Sequence, residues 1–261
     1  MEKIISVQNA KIKYISKLVA SAKERKKSGE FVLEGARLCR DAALSGVEIK
    51  EAFFTEEACL KYKDDVDFII EKTPVSFEIS KEVASKISDT ESSQGVFLRC
   101  ANTKNEVNFS TFSPDGKYVV LENLQDPSNL GAIARTAEAL GIDGAVLVSC
   151  CDVFNPKAQR SAMGSLLRIP FVRINDVNEM FCFAKEKNIK TVATVVDSSA
   201  EKINKADLSG GIFLIIGNEG NGINPDTAEK CDLRVTIPML GRAESLNASM
   251  AACIAMWEVL R

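Results

Sequence analysis

The second half of the chain alternates continuous apolar segments with segments of helical periodicity. Segments that are apolar throughout are typical of strands in a parallel sheet covered by helices on both faces. The pattern predicts strands at Tyr118–Leu121, Ala145–Val148, Phe171–Ile174, Thr191–Val196, Ile212–Ile216 and Leu233–Ile237. It predicts helices at Leu130–Leu140, Met180–Lys187 and Ala248–Leu260. The fold class is therefore α/β.

The first hundred residues show shorter elements in the same alternation. Strands are predicted at Phe31–Leu33, Glu48–Phe54, Val75–Ile79 and Gly95–Arg99, with helices beginning near Gly35 and at Lys81–Ile87. The polar segment 105–116 has little periodicity and carries Pro and Gly near its end, as linkers do. We therefore expect a small α/β domain at 1–104, a linker at 105–116 and a larger domain at 117–261.

Basic residues concentrate in one early segment. Between Lys11 and Lys27 there are seven basic residues against one acid, Glu24, and apolar residues recur at helical spacing. This predicts one amphipathic helix whose basic face either contacts a polyanion or is only solvated. If it contacts RNA phosphates, the candidates are Lys23, Arg25, Lys26 and Lys27. A second set without an intervening acid lies in the larger domain: Lys157, Arg160 and Arg168, followed by Arg173.

Composition narrows the possible chemistry. The 261 residues are 46% hydrophobic, with a net charge of −3, and the longest strongly apolar run is Ile212–Ile216. A membrane span needs about 18 such residues, so we expect a soluble, cytoplasmic protein without membrane contact. The chain has no histidine, which excludes Ser-His-Asp triads, Cys-His dyads and most catalytic zinc sites. Its eight cysteines form no C-x-x-C pair, so we expect reduced thiols and no metal.

Two segments of the larger domain carry candidate chemistry at the ends of predicted strands, where parallel sheets bind ligands. In the first, Asn123–Ala137, a strand leads into a helix that carries Arg135, which is either paired at the surface or held at a site. The second is the glycine-rich loop Gly217–Ile223. It is neither a dinucleotide fingerprint nor a P-loop, and a plain turn would not require Glu219.

A third segment, Ile237–Ser249, has the same form of strand end, loop and helix start. Ser245 and Asn247 are both good N-cap residues, so helix capping explains either one. Two such residues together with Ser249 are more than one cap needs.

These three segments together resemble the SpoU (TrmH) family of RNA ribose 2′-O-methyltransferases, in the SPOUT superfamily. The stretch Asn129–Arg135 resembles its first motif, and Gly217-x-Glu219-x-x-Gly222 its second. Ile237–Met239 with Ser245–Asn247 resembles its third. Ala248 is a departure, because members often carry Val there. Residues Phe31–Arg37 and the strand ending near Arg99 resemble the L30e-like substrate-binding domain of many rRNA-modifying members.

The resemblance implies an S-adenosylmethionine-dependent enzyme that acts as a homodimer through its catalytic domain, with a C-terminal trefoil knot in a parallel-sheet SPOUT domain. The residues it implies for catalysis are Arg135, Asn129, Glu219, Ser245 and Asn247. Those it implies around the cofactor's adenosine are Gly217, Ile237 and Leu246. The N-terminal domain favours ribosomal RNA over transfer RNA. A non-catalytic RNA- or ribosome-binding protein of the same fold is the alternative from another class.

We further expect Arg135 to orient the 2′-hydroxyl and bind a neighbouring phosphate, since a guanidinium is too weak a base to take the proton. Asn129 and Glu219 are expected to hold Arg135 and the ribose. Ser245 and Asn247 are expected to position the substrate.

Overall fold

The computed structural model describes residues 1–101 and 104–261, and the chain divides into two compact units. The first comprises Met1–Lys104 and Asp152–Leu167, the second Asn105–Cys151 and Arg168–Arg261. Residues 102–103, at the end of the predicted N-terminal domain, lie outside the described part. Residues 152–167 pack with the first unit, although the predicted domain 117–261 runs continuously through them, so the domain bounds stay a prediction.

The first unit is a mixed sheet with helices. Its elements from the N-terminal part of the chain are β1 (Glu2–Ile4), α1 (Ala10–Ala20), α2 (Ala22–Ser28), β2 (Glu30–Glu34), α3 (Ala36–Leu44), β3 (Ile49–Thr55), α4 (Glu56–Lys61), α5 (Lys63–Lys72), β4 (Ser76–Ile79), α6 (Lys81–Ile87) and β5 (Val96–Ala101). The strand order is β1-β4-β3-β5-β2, with β5 antiparallel to both neighbours. The strands predicted in this region are confirmed, whereas β1, α4 and α5 were not predicted.

Three phenylalanines lie side by side within the largely aliphatic core of this sheet. Phe53 of β3 lies opposite Phe77 of β4 and Phe97 of β5, and the Phe53 and Phe77 rings stack with centroids 5.3 Å apart. Phe31 of β2 stacks on Phe154 at 4.6 Å. That contact explains why the later segment 152–167 belongs to this unit.

The single basic helix predicted over residues 11–27 is two helices. Ser21 is extended (φ −128°, ψ 111°), which ends α1, and its side chain accepts a hydrogen bond from the Glu24 N–H to begin α2. Gly29 ends α2 in the left-handed conformation (φ 68°), which glycine adopts without strain. Serine is tolerated inside a helix but is also a favoured N-cap residue, and here Ser21 acts as the N-cap of α2.

The chain from residue 105 onward contains β6 (Lys117–Glu122), α7 (Pro127–Leu140), β7 (Gly144–Val148), α8 (Pro156–Ala162), β8 (Phe171–Ile174), α9 (Val177–Lys187), β9 (Lys190–Thr194), β10 (Glu201–Lys202), β11 (Ile212–Ile216), α10 (Pro225–Lys230), β12 (Leu233–Thr236) and α11 (Ala248–Val259). Apart from α8, these elements form the second unit, whose sheet has the order β10-β12-β9-β11-β6-β7-β8 and is parallel throughout. The predicted parallel sheet is therefore confirmed. The knot implied by the family stays a prediction. Within the described residues, no helix is long and apolar enough to cross a bilayer.

Residues 105–116 are not a linker. The Asn105 carbonyl accepts from the Phe171 N–H at 2.8 Å, which fastens the segment to β8. Phe112 is buried and stacks on Tyr118 with ring centroids 4.1 Å apart. The segment belongs to the second unit because its phenylalanines add to the core, a contribution that its polar composition hides.

The order of strands places the candidate loops together. β6 and β11 are neighbours, with Leu121 opposite Ile216 near the carboxyl ends of both. The loop into α7 and the glycine-rich loop therefore leave the sheet side by side. This edge is where an open parallel sheet binds its ligands.

Candidate active site

One hydrogen-bonded chain of polar side chains joins the three candidate segments. Asn129 of α7 is buried, and its Nδ2 donates to Glu219 Oε1 at 3.2 Å. Its Oδ1 accepts from Asn247 Nδ2 at 3.2 Å. Asn129 therefore connects the glycine-rich loop to the start of α11, and residues about 90 and 118 positions away meet at one point.

Glu219 fixes the entrance to α7. Its Oε1 also accepts from the Asp126 N–H at 2.9 Å, and its Oε2 from the Gln125 N–H at 3.2 Å. Burial alone would raise the pKa of this carboxyl, but the hydrogen bonds to the ionised form, from the Asp126 N–H first, outweigh it and lower the pKa from its usual value. Glu219 is thus held as a carboxylate that organises the loop.

Gly217 is required by the loop's own backbone. A Cβ there would lie 2.1 Å from the Gly222 carbonyl carbon and from the Ile223 nitrogen. The two strands of the loop approach this closely because Asn218 and Gly222 exchange backbone hydrogen bonds of 2.9 and 3.0 Å. The absence of space for a Cβ explains why this position is a glycine. Gly217 is also buried.

A functional position that the sequence reasoning missed is Glu122, at the carboxyl end of β6. It is 3% exposed; its Oε2 accepts from the Asn224 N–H at 2.8 Å and its Oε1 from Thr227 Oγ1 at 2.6 Å. It therefore fastens the far end of the glycine-rich loop to the strand beside it. An acidic residue directly after the apolar stretch Tyr118–Leu121 was the available signal.

Asn247 caps a helix and also belongs to the polar network. Its Oδ1 caps α11 by accepting from the Ser249 N–H at 2.9 Å, while its Nδ2 reaches Asn129. Ser245 is exposed and lines an open cavity with Ile237 and Leu246. The other lining residues are Thr194, Val195, Val196, Thr236, Met239, Glu244 and Ala251. The structure thus groups Ser245 with two predicted adenosine contacts, and Gly217 is not among the lining residues.

Arg135 stands apart from this network. Its side chain is exposed, and among the described residues it forms no hydrogen bond or ion pair. The expectation that Asn129 and Glu219 hold Arg135 is wrong: their polar atoms hold each other, Asn247 and the loop backbone. Six residues along α7 separate Asn129 from Arg135, a rise of about 9 Å. The guanidinium is left available for a ligand.

Arg25 is not an RNA contact. Its side chain is 4% exposed, its Nε lies 2.7 Å from Asp152 Oδ2, and its Nη1 donates to the Leu18 carbonyl at 2.6 Å. This guanidinium joins the C-terminal part of α1 to the segment preceding α8 and builds the first unit. By contrast, Lys23, Lys26 and Lys27 are exposed on α2.

The second basic set is not one patch. Lys157 is exposed, but Arg160 belongs to the first unit and pairs with Asp89 at 2.6 Å. Arg168 and Arg173 lie in the second unit, where Arg168 forms a two-pronged pair with Glu138 and Arg173 pairs with Glu106. These arginines form ion pairs with carboxylates distant in sequence. A count of charges within one segment therefore could not show that they were already paired.

The cysteines have no role in this network. All eight are free in the structure. Burial raises the pKa of Cys150, which follows β7, to about 12, so that thiol is protonated at neutral pH and a poor nucleophile. No group of three or more metal-ligating side chains occurs in the described ranges.

Sequence comparison decides what this arrangement is. Residues 116–257 match the SpoU rRNA Methylase family, and residues 9–98 match the MRM3-like substrate binding domain. The chain belongs to the SpoU rRNA methylase family. The predicted resemblance is confirmed, and the three joined segments all lie within the matched residues.

Relatives match over nearly the whole chain. The 23S rRNA (guanosine(2553)-2′-O)-methyltransferase RlmP of Bacillus subtilis is 33% identical over 99% of both chains. An uncharacterized tRNA/rRNA methyltransferase of Synechocystis is 30% identical over 99% of this chain and 93% of its own length. The crystal structure of an AdoMet-bound rRNA methyltransferase from Sinorhizobium meliloti superposes with a TM-score of 0.87 at 27% identity, over 99% of this chain and 97% of that chain.

Proposed function

We propose that the protein transfers the methyl group of S-adenosylmethionine to a ribose 2′-hydroxyl of ribosomal RNA. The observation that carries this proposal is the Glu219–Asn129–Asn247 network, which joins the three candidate segments. Arg135 lies on the same helix as Asn129, is exposed, and forms no ion pair or hydrogen bond among the described residues. The names of full-length relatives support the same reaction and favour 23S rRNA as the substrate. Transfer RNA is the second candidate, because the name of the Synechocystis relative admits both RNAs.

The cavity beside Leu246 suits the cofactor. Apolar side chains from Val195, Ile237 and Leu246 would enclose a flat adenine, and the hydroxyls of Thr194 and Ser245 would serve its polar edges and ribose. When bound, S-adenosylmethionine supplies a methyl group already activated on sulfur, so no metal is called for. Gly217 would contribute only backbone atoms.

The protein's part in the reaction is alignment and handling of one proton. A 2′-hydroxyl must face the methyl carbon and lose its proton as the new bond forms. With no histidine in the chain, Arg135 is the group best placed to orient the hydroxyl and to hold the adjacent phosphate, which then accepts or relays the proton. Asn129, Glu219 and Asn247 act indirectly by fixing the loops on either side.

The phosphate contacts of the RNA are assigned to lysines. Lys23, Lys26 and Lys27 project from α2, and Lys157 from α8, and all four are exposed. Lysine ammoniums on flexible stems suit the backbone of a polyanion, which needs charge more than geometry. Arg160 and Arg168 are less suited, since they are engaged with Asp89 and Glu138.

A homodimer through the second unit is part of the proposal. Met250, Ile254 and Trp257 of α11 are 59%, 40% and 59% exposed, and their spacing places them on one stripe. An apolar stripe of this kind favours contact with another protein surface over water. Sedimentation of Trp257→Glu tests it: we expect monomers for the variant and dimers for the wild type. A dimeric variant would contradict the assignment.

The reaction itself is tested by comparing RNA from a strain lacking the gene with RNA from its parent. We expect one ribose to lose its methyl group in the deletion strain and to regain it when the gene is returned. Mapping by resistance to alkaline cleavage distinguishes a 2′-O-methyl group from a base methyl group. A loss confined to transfer RNA would favour the second candidate, and no loss would favour a non-catalytic RNA-binding protein.

A further inference from the structure

The first unit contains a cavity that the proposed chemistry does not use. It measures about 340 Å³ and is bordered by the start of α3, the loop before β5 and the end of α8. The lining residues that matter here are Glu34, Arg37, Leu38, Gln94, Arg160 and Met163. Arg160 and Met163 lie beyond residues 9–98, which match the substrate-binding family, so this chain completes the cavity with residues from outside that match.

The cavity presents hydrogen-bond donors that lack protein partners. Arg160 Nη1 is buried and, among the described residues, has no hydrogen bond; the nearest carboxylate oxygen, Glu34 Oε2, is 4.0 Å away. Arg37 is exposed and likewise forms no ion pair or hydrogen bond within the described chain. A buried donor without an acceptor is costly, and a bound acceptor would relieve that cost.

The acceptors around the cavity are already used. Glu34, whose side chain is 6% exposed, accepts from Ser88 Oγ at 2.7 Å, Thr90 Oγ1 at 2.8 Å and the Asp89 N–H at 3.0 Å. Gln94 Oε1 accepts from the Ala36 N–H at 2.8 Å. The cavity therefore favours a ligand rich in hydrogen-bond acceptors.

Met163 gives the cavity an apolar wall at a conformational cost. It holds a left-handed backbone (φ 49°, ψ 44°), where long side chains are uncommon and glycine would be relaxed. Together with Leu38 it provides apolar surface beside the two guanidiniums. Flat apolar faces combined with an acceptor edge describe a nucleobase, and unpaired RNA bases are commonly stacked on arginine and apolar side chains.

We propose that this cavity receives an unpaired nucleotide of the RNA substrate. The base lies between Met163 and Arg37 and accepts a hydrogen bond from Arg160 Nη1, and its phosphate stays near Arg37 at the rim. The inference rests on the proposed function only in taking RNA as the ligand. It makes this cavity, rather than the lysines of α2, the part of the first unit that distinguishes unpaired RNA from duplex.

The test uses the full-length protein, methyl-labelled at methionine, and two RNA probes: a hairpin with an unpaired loop and a blunt duplex of the same composition. We expect the hairpin to shift the NMR signal of Met163, assigned with Met163→Leu. Met180, buried in the second unit, is the internal control. A Met163 signal that saturating hairpin leaves unmoved, or that the duplex shifts equally, overturns the proposal.

The second test measures the affinity of protein variants for the two RNA probes. Arg37→Gln should weaken hairpin binding about ten-fold and duplex binding far less, whereas the matched control Lys72→Gln, an exposed cation on α5, should change both by less than about two-fold. Equal weakening of both probes by Arg37→Gln would overturn the nucleotide assignment. Neither readout depends on methyl transfer. A protein inactive on every RNA could still bind a nucleotide in this cavity, and an active protein could fail to do so, so the two proposals fail independently.

Discussion

Arg25 and Arg135 both lie on helices, but their surroundings are opposite: Arg25 is buried and paired, and Arg135 is exposed. Arg25 lies in the most basic segment of the chain, yet it is buried and engaged with Asp152 and two carbonyls. Arg135 lies in a small, apolar helix and is exposed, with no partner in the described ranges. The charge-rich region uses its arginine for structure, and the charge-poor region leaves its arginine open.

This contrast teaches that the role of a charged side chain is indicated by its partner in the fold. The number of charged residues near it in the sequence is less informative. The buried guanidinium of Arg25, paired with a carboxylate 127 residues away, stabilises the first unit and is not accessible to RNA. An exposed guanidinium beside a network that fixes its surroundings is ready to act on a ligand. Substitutions of these two arginines and their neighbours separate the structural use of charge from ligand binding.

The largest effect is expected at Arg135. Arg135→Ala should lower methyl transfer by at least about 10²–10³-fold, the usual cost of removing a donor that acts in the transition state. Melting temperature and cofactor affinity should stay unchanged, because the side chain makes no contact within the described protein. Arg135→Lys should rescue poorly, since an ammonium lacks the planar fork. Transfer at the wild-type rate in either variant would contradict the role.

Arg25→Ala should act on stability instead. Removing the buried guanidinium takes its partner from the partly exposed Asp152 and leaves two carbonyls without their donor, at a cost of about 3 kcal/mol. For a chain of this size we expect a melting temperature lower by roughly 6–12 °C. The matched control is Lys26→Ala, an exposed neighbour, which should change stability by less than about 0.5 kcal/mol. Equal melting temperatures for the two variants would show that the Arg25–Asp152 pair is not structural.

Glu219→Gln tests the network through pH. The folded-state pKa of Glu219 lies below its ordinary value of 4.5, so the carboxylate stabilises the fold above that pH and loses this contribution as the pH falls through the folded pKa. We expect the free energy of unfolding of the wild type to exceed that of Glu219→Gln by about 0.5 kcal/mol at neutral pH. Denaturation at several pH values should show this difference shrinking below pH 4.5; a difference that grows on acidification would refute the assignment.

The smallest change is expected from the exposed lysines. Replacing Lys23, Lys26 and Lys27 with Gln should weaken RNA binding and flatten the dependence of log affinity on log salt by about 0.7–0.9 per lost phosphate contact. Arg25 must be left intact, or unfolding would be mistaken for lost binding. An unchanged salt dependence, measured by filter binding, would mean that the basic face of α2 is only solvated.

The local hydrophobic pattern identified the central strands of both sheets but missed the short edge strands β1 and β10. It did not identify the residues that pair with each charged side chain. Ile212–Ile216 is apolar throughout and is strand β11, because burial on both faces of a parallel sheet leaves no polar position. Glu219 and Asn247 were found because their residue types exceed what a turn or cap needs. The positions of Phe112 and Arg25 depend on residues that only folding brings near.

The clearest gap is the segment 152–167. Nothing in its sequence says that Phe154 will stack on Phe31, so a continuous catalytic domain was expected. Domain membership is a property of long-range contacts, and hydrophobic periodicity reports only local ones.

The most direct test of the account is methyl transfer by purified protein. Wild-type protein and Arg135→Ala, each saturated with methyl-labelled S-adenosylmethionine, would be given unmodified ribosomal RNA, and the product digested with alkali. The account predicts label in alkali-resistant dinucleotides for the wild type and almost none for Arg135→Ala. Label released as mononucleotides, or equal labelling by both proteins, would contradict it.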